Sequence, residues 1–194
     1  DDFAGARLAV SHLIELGHRR IAHISVRRHG TNRREASGAE QLTLESQQRY
    51  AGYQQALADH GLALDPELVV VVDDSEKGGA DGAGRLLELE PRPTAVFCFA
   101  DRVAFGAISV FKQAGIEIPH GLSIVGFDDL PMAVWMSPPL TTVHQPLGDM
   151  GRAAMEMVLA MLAGRPCPDE VVLPCQLMIR GSTSRPRLKN GATP

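Results

Sequence analysis

Acidic side chains follow three apolar runs of this sequence, at the places where buried strands are predicted to end. The runs and the acids that follow them are 68–72 with Asp73 and Asp74, 94–99 with Asp101, and 122–127 with Asp128 and Asp129. The carboxyl ends of parallel strands meet at one edge of a sheet, where α/β proteins bind ligands. Carboxylates at such an edge accept hydrogen bonds from a ligand, hold a divalent cation or act as acid and base.

Helix capping competes with ligand binding as the role of some of these polar side chains. Asp101 and Ser75 stand just before predicted helices, where a side-chain oxygen caps free backbone N–H groups. Asp128 precedes no clear helix, so capping explains it less well and ligand binding is favoured. For Asp101 both roles stay open.

Two basic features accompany the acids. Arg49 falls in the first turn of a helix predicted over 47–60, where a cation is mildly unfavourable. This position suggests that Arg49 bonds a ligand or one of the acids, with a solvated side chain as the alternative. The basic run Arg27–Arg34 reads either as a solvated loop or as a lid or anion contact beside a pocket.

The sequence carries no pattern that favours catalysis. It has no Gly-x-Ser-x-Gly elbow and no Gly-x-x-x-x-Gly-Lys loop, and the glycines at 78–84 are spaced wrongly for a dinucleotide fingerprint. His12, His18 and His23 are not at metal-ligand spacing with any cysteine. We therefore predict a binding protein with no cofactor and no metal, and not an enzyme.

Hydrophobic periodicity predicts the elements that position these groups. Helices are expected over residues 4–16, 47–60, 79–89, 102–114 and 147–163. Strands are expected over residues 21–26, 68–72, 94–99, 122–127, 140–143, 171–173 and 176–179. This alternation predicts an α/β fold with a doubly wound parallel sheet and right-handed crossovers.

Composition narrows the functional classes. The chain has 194 residues, 44% of them hydrophobic and 22% charged, which is enough apolar material for a real core. A net charge of −4 makes this segment a poor candidate for nucleic-acid binding. No run is long enough to span a bilayer, and the first residues lack the charge order of a signal peptide. Cys167 and Cys175 could pair, but a reduced cytoplasmic protein is the simpler interpretation.

Short motifs along the chain resemble, in order, one family of proteins. They are Ile14-Glu-Leu-Gly-His-Arg-Arg-Ile-Ala22, Arg49-Tyr-Ala-Gly-Tyr53, Pro93-Thr-Ala-Val-Phe97, Ser123-Ile-Val-Gly-Phe-Asp-Asp129, Pro138-Pro-Leu-Thr-Thr-Val143, Gln145-Pro146, Met150-Gly151 and Arg180-Gly-Ser-Thr183. The sequence up to Pro186 resembles the effector-binding core of LacI/GalR transcriptional regulators. This core is similar to periplasmic sugar-binding proteins, in which two α/β lobes close on a ligand.

The resemblance implies roles for particular residues. Arg49 and Asp128 match positions that bind the effector in the family. Asp101 matches the acid of an Asn-Asp pair, although Ala100 replaces the asparagine. Asp74 stands where the family often has an aromatic ring, and a carboxylate cannot stack on a sugar or base. With two contacts changed, the resemblance suggests a polyol or an amine-bearing effector as alternatives to a standard sugar.

The resemblance also implies a division of the chain. Residues 1–143 correspond to the second lobe, 144–174 to a return segment of the first lobe, 175–186 to a strand that comes back, and 187–194 to a flexible tail. His144 and Gln145 lie at the lobe crossover. The family's helix-turn-helix headpiece and most of the first lobe have no counterpart here, so DNA contact is expected only through a headpiece outside this chain.

The function implied is a sugar-like effector sensor of a bacterial transcription regulator, in the cytoplasm and as a homodimer. A periplasmic solute-binding protein of a sugar transport system is the alternative. The apolar side of helix 147–163 would lack the sheet that it normally covers. We expect it to cover another part of this lobe or to pair with a second chain.

Overall fold

A computed structural model describes residues 1–27 and 43–187 of the chain. Its strands are β1 (Ile21–Val26), β2 (Val69–Val72), β3 (Ala95–Cys98), β4 (Ser123–Asp128), β5 (Thr141–His144) and β6 (Gln176–Met178). Its helices are α1 (Asp2–Glu15), α2 (Leu44–Asp59), α3 (Glu76–Leu87), α4 (Asp101–Gln113) and α5 (Leu147–Leu162). Short 3-10 turns occur at Pro66–Leu68 and Pro131–Val134.

The strands form one sheet in the order β2-β1-β3-β4-β5-β6. The first five are parallel, and β6 pairs antiparallel with β5 at the edge. Helices cover both faces: α1 and α2 pack on one face of the sheet, and α3 and α4 pack on the other. The predicted doubly wound α/β fold is confirmed, with one antiparallel edge strand that periodicity did not distinguish.

Alternate residues of the central strands supply two cores. One core lies against α3 and α4 and includes Ile24, Val96 and Ile124. The other lies against α1 and α2 and includes Phe97 and Phe127. Strands that bury both faces in this way read as continuous apolar runs, which explains the pattern in the sequence.

Helix α5 stands apart from both cores. None of its residues is buried, and its side chains Met155, Leu159 and Leu162 are 58%, 52% and 80% exposed. The expectation that this helix covers another part of the lobe is therefore wrong for the part of the chain that the structure describes. Among those residues, no helix is both long and apolar enough to cross a membrane.

Some other expectations also need correction. Residues 171–173 form no strand, although they are apolar and β-branched. Helix α2 begins at Leu44, where Thr43 accepts a hydrogen bond from the Ser46 N–H, so Arg49 lies in its second turn rather than its first. Most of the basic run at 27–34 and of the tail at 187–194 falls outside the described residues.

Candidate functional site

Arg49 is the centre of a charged cluster at the carboxyl ends of the strands. Its Nε donates to Asp2 Oδ1 at 2.7 Å and its Nη1 donates to the Phe99 carbonyl at 2.6 Å. The same Nη1 lies 3.5 Å from Asp128 Oδ1. Arg49 is only 4% exposed. The expected pairing of Arg49 with an acid is thus present, while its contact with a ligand stays a prediction.

The Arg49 guanidinium packs against the faces of two phenylalanine rings. The guanidinium carbon lies 3.7 Å from the centre of the Phe127 ring and 4.3 Å from that of Phe99. Cation–π contacts of this kind are strongest where water is excluded. Neither ring was predicted to belong to the site, although Phe99 and Phe127 end the apolar runs that precede Asp101 and Asp128.

Asp128 ends β4 with an unusual backbone conformation. Its φ is 106°, a region that side chains other than glycine rarely adopt. Gln145 Nε2 donates to Asp128 Oδ1 at 2.7 Å, while the assignment of His144 and Gln145 to a lobe crossover stays a prediction. Burial raises the pKa of the Asp128 carboxyl and outweighs the Arg49 charge and the Gln145 hydrogen bond, which lower it. The side chain keeps 24% exposure, which leaves it accessible to a ligand.

Asp129 carries a second ionic cluster beside the first. Its φ is 58°, also in the left-handed region. Arg180 Nη2 donates to Asp129 Oδ1 at 2.6 Å, and His144 Nδ1 lies 3.0 Å from Oδ2. Consecutive strained residues persist only where their surroundings fix them, and they are common at binding sites. The sequence placed Asp129 among the acids at the strand ends, but its pairing with Arg180 and His144 was not predicted.

Asp101 is buried below the carboxyl edge of the sheet and is not exposed there. The residue has no exposed surface, Thr142 Oγ1 donates to its Oδ1 at 2.5 Å, and the Leu130 N–H donates to Oδ2 at 2.7 Å. Burial raises the pKa of Asp101 to about 7, against these hydrogen bonds. The capping interpretation is wrong, because the N-cap of α4 is Ala100 and no side chain caps it. A direct effector contact by Asp101 stays a prediction.

Gly126 makes room for the Asp101 carboxylate. A Cβ atom at Gly126 would lie 2.2 Å from Asp101 Oδ1 and 2.9 Å from a Leu140 methyl carbon. Gly126 pairs with Thr142 in the β4–β5 ladder, so the carboxylate crosses β4 at this glycine to reach the threonine. Asp101 therefore ties α4 to β5 and to the loop that follows Asp128.

Asp74 lines an open cavity next to the Arg49 cluster. The cavity has a volume of about 490 Å³ and shares Phe99 with that cluster. Its lining residues are Val26, Arg27, Thr43, Glu45, Asp73, Asp74, Phe99 and Arg102. This volume is in the range of small-molecule sites. Asp74 is exposed here, and Arg27 Nε lies 3.1 Å from Asp73 Oδ1.

A parallel sheet whose carboxyl edge carries a shielded arginine–carboxylate pair beside a cavity is the architecture of a small-molecule-binding lobe. Residues 10–183 match the family described as periplasmic binding protein-like domain, and the chain belongs to this family. The resemblance to LacI/GalR regulators is also confirmed by the relatives and by the structural neighbours.

Three of these proteins show the extent of the similarity. The HTH-type transcriptional repressor CytR of Escherichia coli strain K12 is 37% identical over 184 residues, which cover 94% of this chain and 50% of that protein. A LacI-family regulator from Mycobacterium smegmatis has a TM-score of 0.84 at 31% identity, over 96% of this chain and 65% of that one. A LacI-family regulator from Enterococcus faecium with bound ribose has a TM-score of 0.80 at 29% identity, over 97% and 65%. The chain spans about half the length of the curated relatives.

Proposed function

We propose that this chain is the effector-sensing part of a bacterial LacI/GalR-type transcriptional regulator, and that Asp128 and Arg49 contact a sugar-like effector. The observation that carries the proposal is the Arg49–Asp128 cluster at the strand ends, in a chain whose relatives are transcriptional repressors. Ribose in the Enterococcus faecium neighbour supports a sugar or polyol as the ligand class.

The proposed mechanism is a population shift between two lobe arrangements. An effector that binds the closed arrangement more tightly than the open one shifts the equilibrium by its difference in affinity. Gln145 is suited to report this shift, because it follows β5 directly and donates to Asp128. Ligand contact at Asp128 then acts directly on the connection to the other lobe.

The proposed division of the chain assigns 1–143 to the second lobe, 144–174 to the first-lobe return segment and 175–186 to the returning strand. The apolar side of α5 supports this division, since a helix with no buried residue requires a covering partner. We propose that the rest of the first lobe covers α5 in the whole regulator, and that this regulator is a homodimer. Contact with DNA is assigned to a headpiece outside this chain.

The relatives favour a regulator over the periplasmic transport alternative, because they are HTH-type transcriptional repressors and LacI-family regulators. A repressor acts on DNA, so we place the protein in the cytoplasm. We assign no catalytic role, in keeping with relatives that are regulators rather than enzymes.

A thermal-shift screen of sugars, polyols, nucleosides and amines tests the proposal. A ligand at about 100 times its Kd stabilises the folded protein by about 2.7 kcal/mol, which is measurable as a rise in Tm. Asp128→Asn should abolish this rise. Asp81→Asn, which removes an exposed acid paired with Lys77 on α3, should leave it intact. A ligand whose shift is the same in Asp128→Asn and wild type would contradict the assigned site.

A further inference from the structure

Two consecutive residues with positive φ form the turn at the end of β4. Asp128 has a φ of 106° and Asp129 a φ of 58°. Residues other than glycine rarely adopt such values. A turn of this kind persists only where contacts from outside hold it, so those contacts also determine where the Asp128 carboxyl group points.

Asp129 makes two of these contacts, one through each oxygen of its carboxylate. Arg180 Nη2 donates to Oδ1 at 2.6 Å, and His144 Nδ1 lies 3.0 Å from Oδ2. The side chains of Asp129 and Arg180 are only 15% and 17% exposed, so water and salt screen their charges little. The ion pair is therefore stronger than a pair on the open surface.

Arg180 is itself held against β5. Its backbone N–H donates to Thr141 Oγ1 at 2.9 Å, and its Nη1 donates to the Leu140 carbonyl at 2.9 Å. Arg180 follows β6, whereas His144 is the last residue of β5. Asp129 thus joins the turn after β4 to two other segments of the chain, and each of them is paired into the sheet.

We propose that Asp129 is a positioning residue of the effector site, and that its contacts with Arg180 and His144 hold the turn that directs Asp128 toward the effector. This inference rests on the proposed role of Asp128. Asp129 makes no effector contact of its own, because a protein nitrogen already lies within hydrogen-bond distance of each of its oxygens. Loss of these contacts lets the turn relax toward ordinary φ values, and the Asp128 carboxyl group moves with it.

The side-chain amide of Gln145 reports the position of Asp128 without any effector, because its Nε2 donates to Asp128 Oδ1 at 2.7 Å. Nitrogen-15 NMR of the chain measures the chemical shift and the exchange rate of this NH₂ group, and Asp128→Ala gives the reference for the broken hydrogen bond. We expect Asp129→Asn and Arg180→Met to move both quantities toward the Asp128→Ala values. Asp81→Asn, which removes an exposed carboxylate on α3, should leave them at the wild-type values.

The same measurement separates positioning from stability. Asparagine tolerates positive φ as aspartate does, so Asp129→Asn changes the charge and not the backbone preference. If Asp129 only stabilises the fold, Asp129→Asn lowers Tm but leaves the Gln145 resonance of the folded protein unchanged, and this result would overturn the proposal. His144→Ala alters a side chain that is 44% exposed, and it should move the resonance in the same direction even if the other two variants fail to fold.

Titration calorimetry with D-ribose, the sugar bound in the Enterococcus faecium neighbour, tests the consequence for binding. Asp129→Asn should bind ribose about tenfold more weakly than the wild type, because a misplaced carboxylate loses a hydrogen bond to the sugar. An unchanged ribose affinity would contradict the positioning role. A wild type that binds no ribose counts against the proposed effector class and not against Asp129, for which the Gln145 resonance decides.

Discussion

Asp101→Asn should change how the stability of the protein depends on pH. In the wild type the carboxyl group has no exposed surface and lies between Thr142 and the Leu130 N–H. Asparagine has nearly the same shape and keeps an acceptor oxygen, but it cannot ionise. The substitution therefore separates the charge of Asp101 from its packing.

The sign and size of the effect follow from the raised pKa. Burial moves the pKa of Asp101 from an ordinary value of 3.8 to about 7, so between these values the folded state holds a proton that the unfolded state has released. The stabilisation of the folded state by this proton is complete below the ordinary pKa. It decreases as pH rises between the two pKa values and is lost above the raised pKa. At about 1.4 kcal/mol per pH unit, the loss is roughly 4 kcal/mol.

Urea unfolding of wild type and Asp101→Asn, from about pH 4 to about pH 8, measures this loss. The difference in unfolding free energy, variant minus wild type, should increase with pH across the window and level off above it. Other titrating groups contribute to both proteins and cancel in the difference. A difference that stays flat above about pH 4 would show that Asp101 is ionised in the fold, and the reasoning from burial would be refuted.

Three further substitutions test the site. Arg49→Leu leaves two partly buried carboxylates without their cation and should lower the unfolding free energy by about 3–5 kcal/mol in urea, and an unchanged midpoint would contradict the assigned pairing. Asp129→Asn removes the charge that faces Arg180 and should cost roughly 2 kcal/mol by thermal denaturation; a loss that disappears in high salt would show a solvent-exposed pair instead. Gly126→Ala places a Cβ against Asp101 and should destabilise by about 1–3 kcal/mol, whereas Gly84→Ala in helix α3, with no atom within 4 Å, should stabilise by up to about 1 kcal/mol in the same assay.

Local signals were sufficient to predict most elements of the fold. Residues 21–26 were predicted to form a strand, and β1 occupies Ile21–Val26 with every residue buried, including His23 and Ser25. Ser75 was predicted to cap a helix, and its hydroxyl accepts from the Gly78 N–H at 3.0 Å. Residues 171–173 are apolar and rich in valine but form no strand, so composition alone was not enough to predict one.

The site was predictable in outline and not in its partners. The acids at the strand ends indicated the edge of the sheet, since strand direction alone brings them together. The burial of Asp101 was not predictable, because it depends on Gly126, which lies on another strand and leaves room for the carboxylate. Arg49 was singled out from a helix start that is wrong by three residues, yet its pairing with Asp128 is present.

The hydrogen bonds around Asp128 indicate which effector groups suit the site. In the described part of the chain, the contacts from Gln145 and Arg49 both use Oδ1 of Asp128. Oδ2 is therefore the oxygen left to accept a donor from a ligand. Arg49 donates to Asp2 through Nε and to the Phe99 carbonyl through Nη1, which uses two of the five N–H groups of its guanidinium. If Asp128 contacts the effector as we propose, an effector hydroxyl or amine would donate to Oδ2, whereas an anionic effector would have to be desolvated next to this carboxylate.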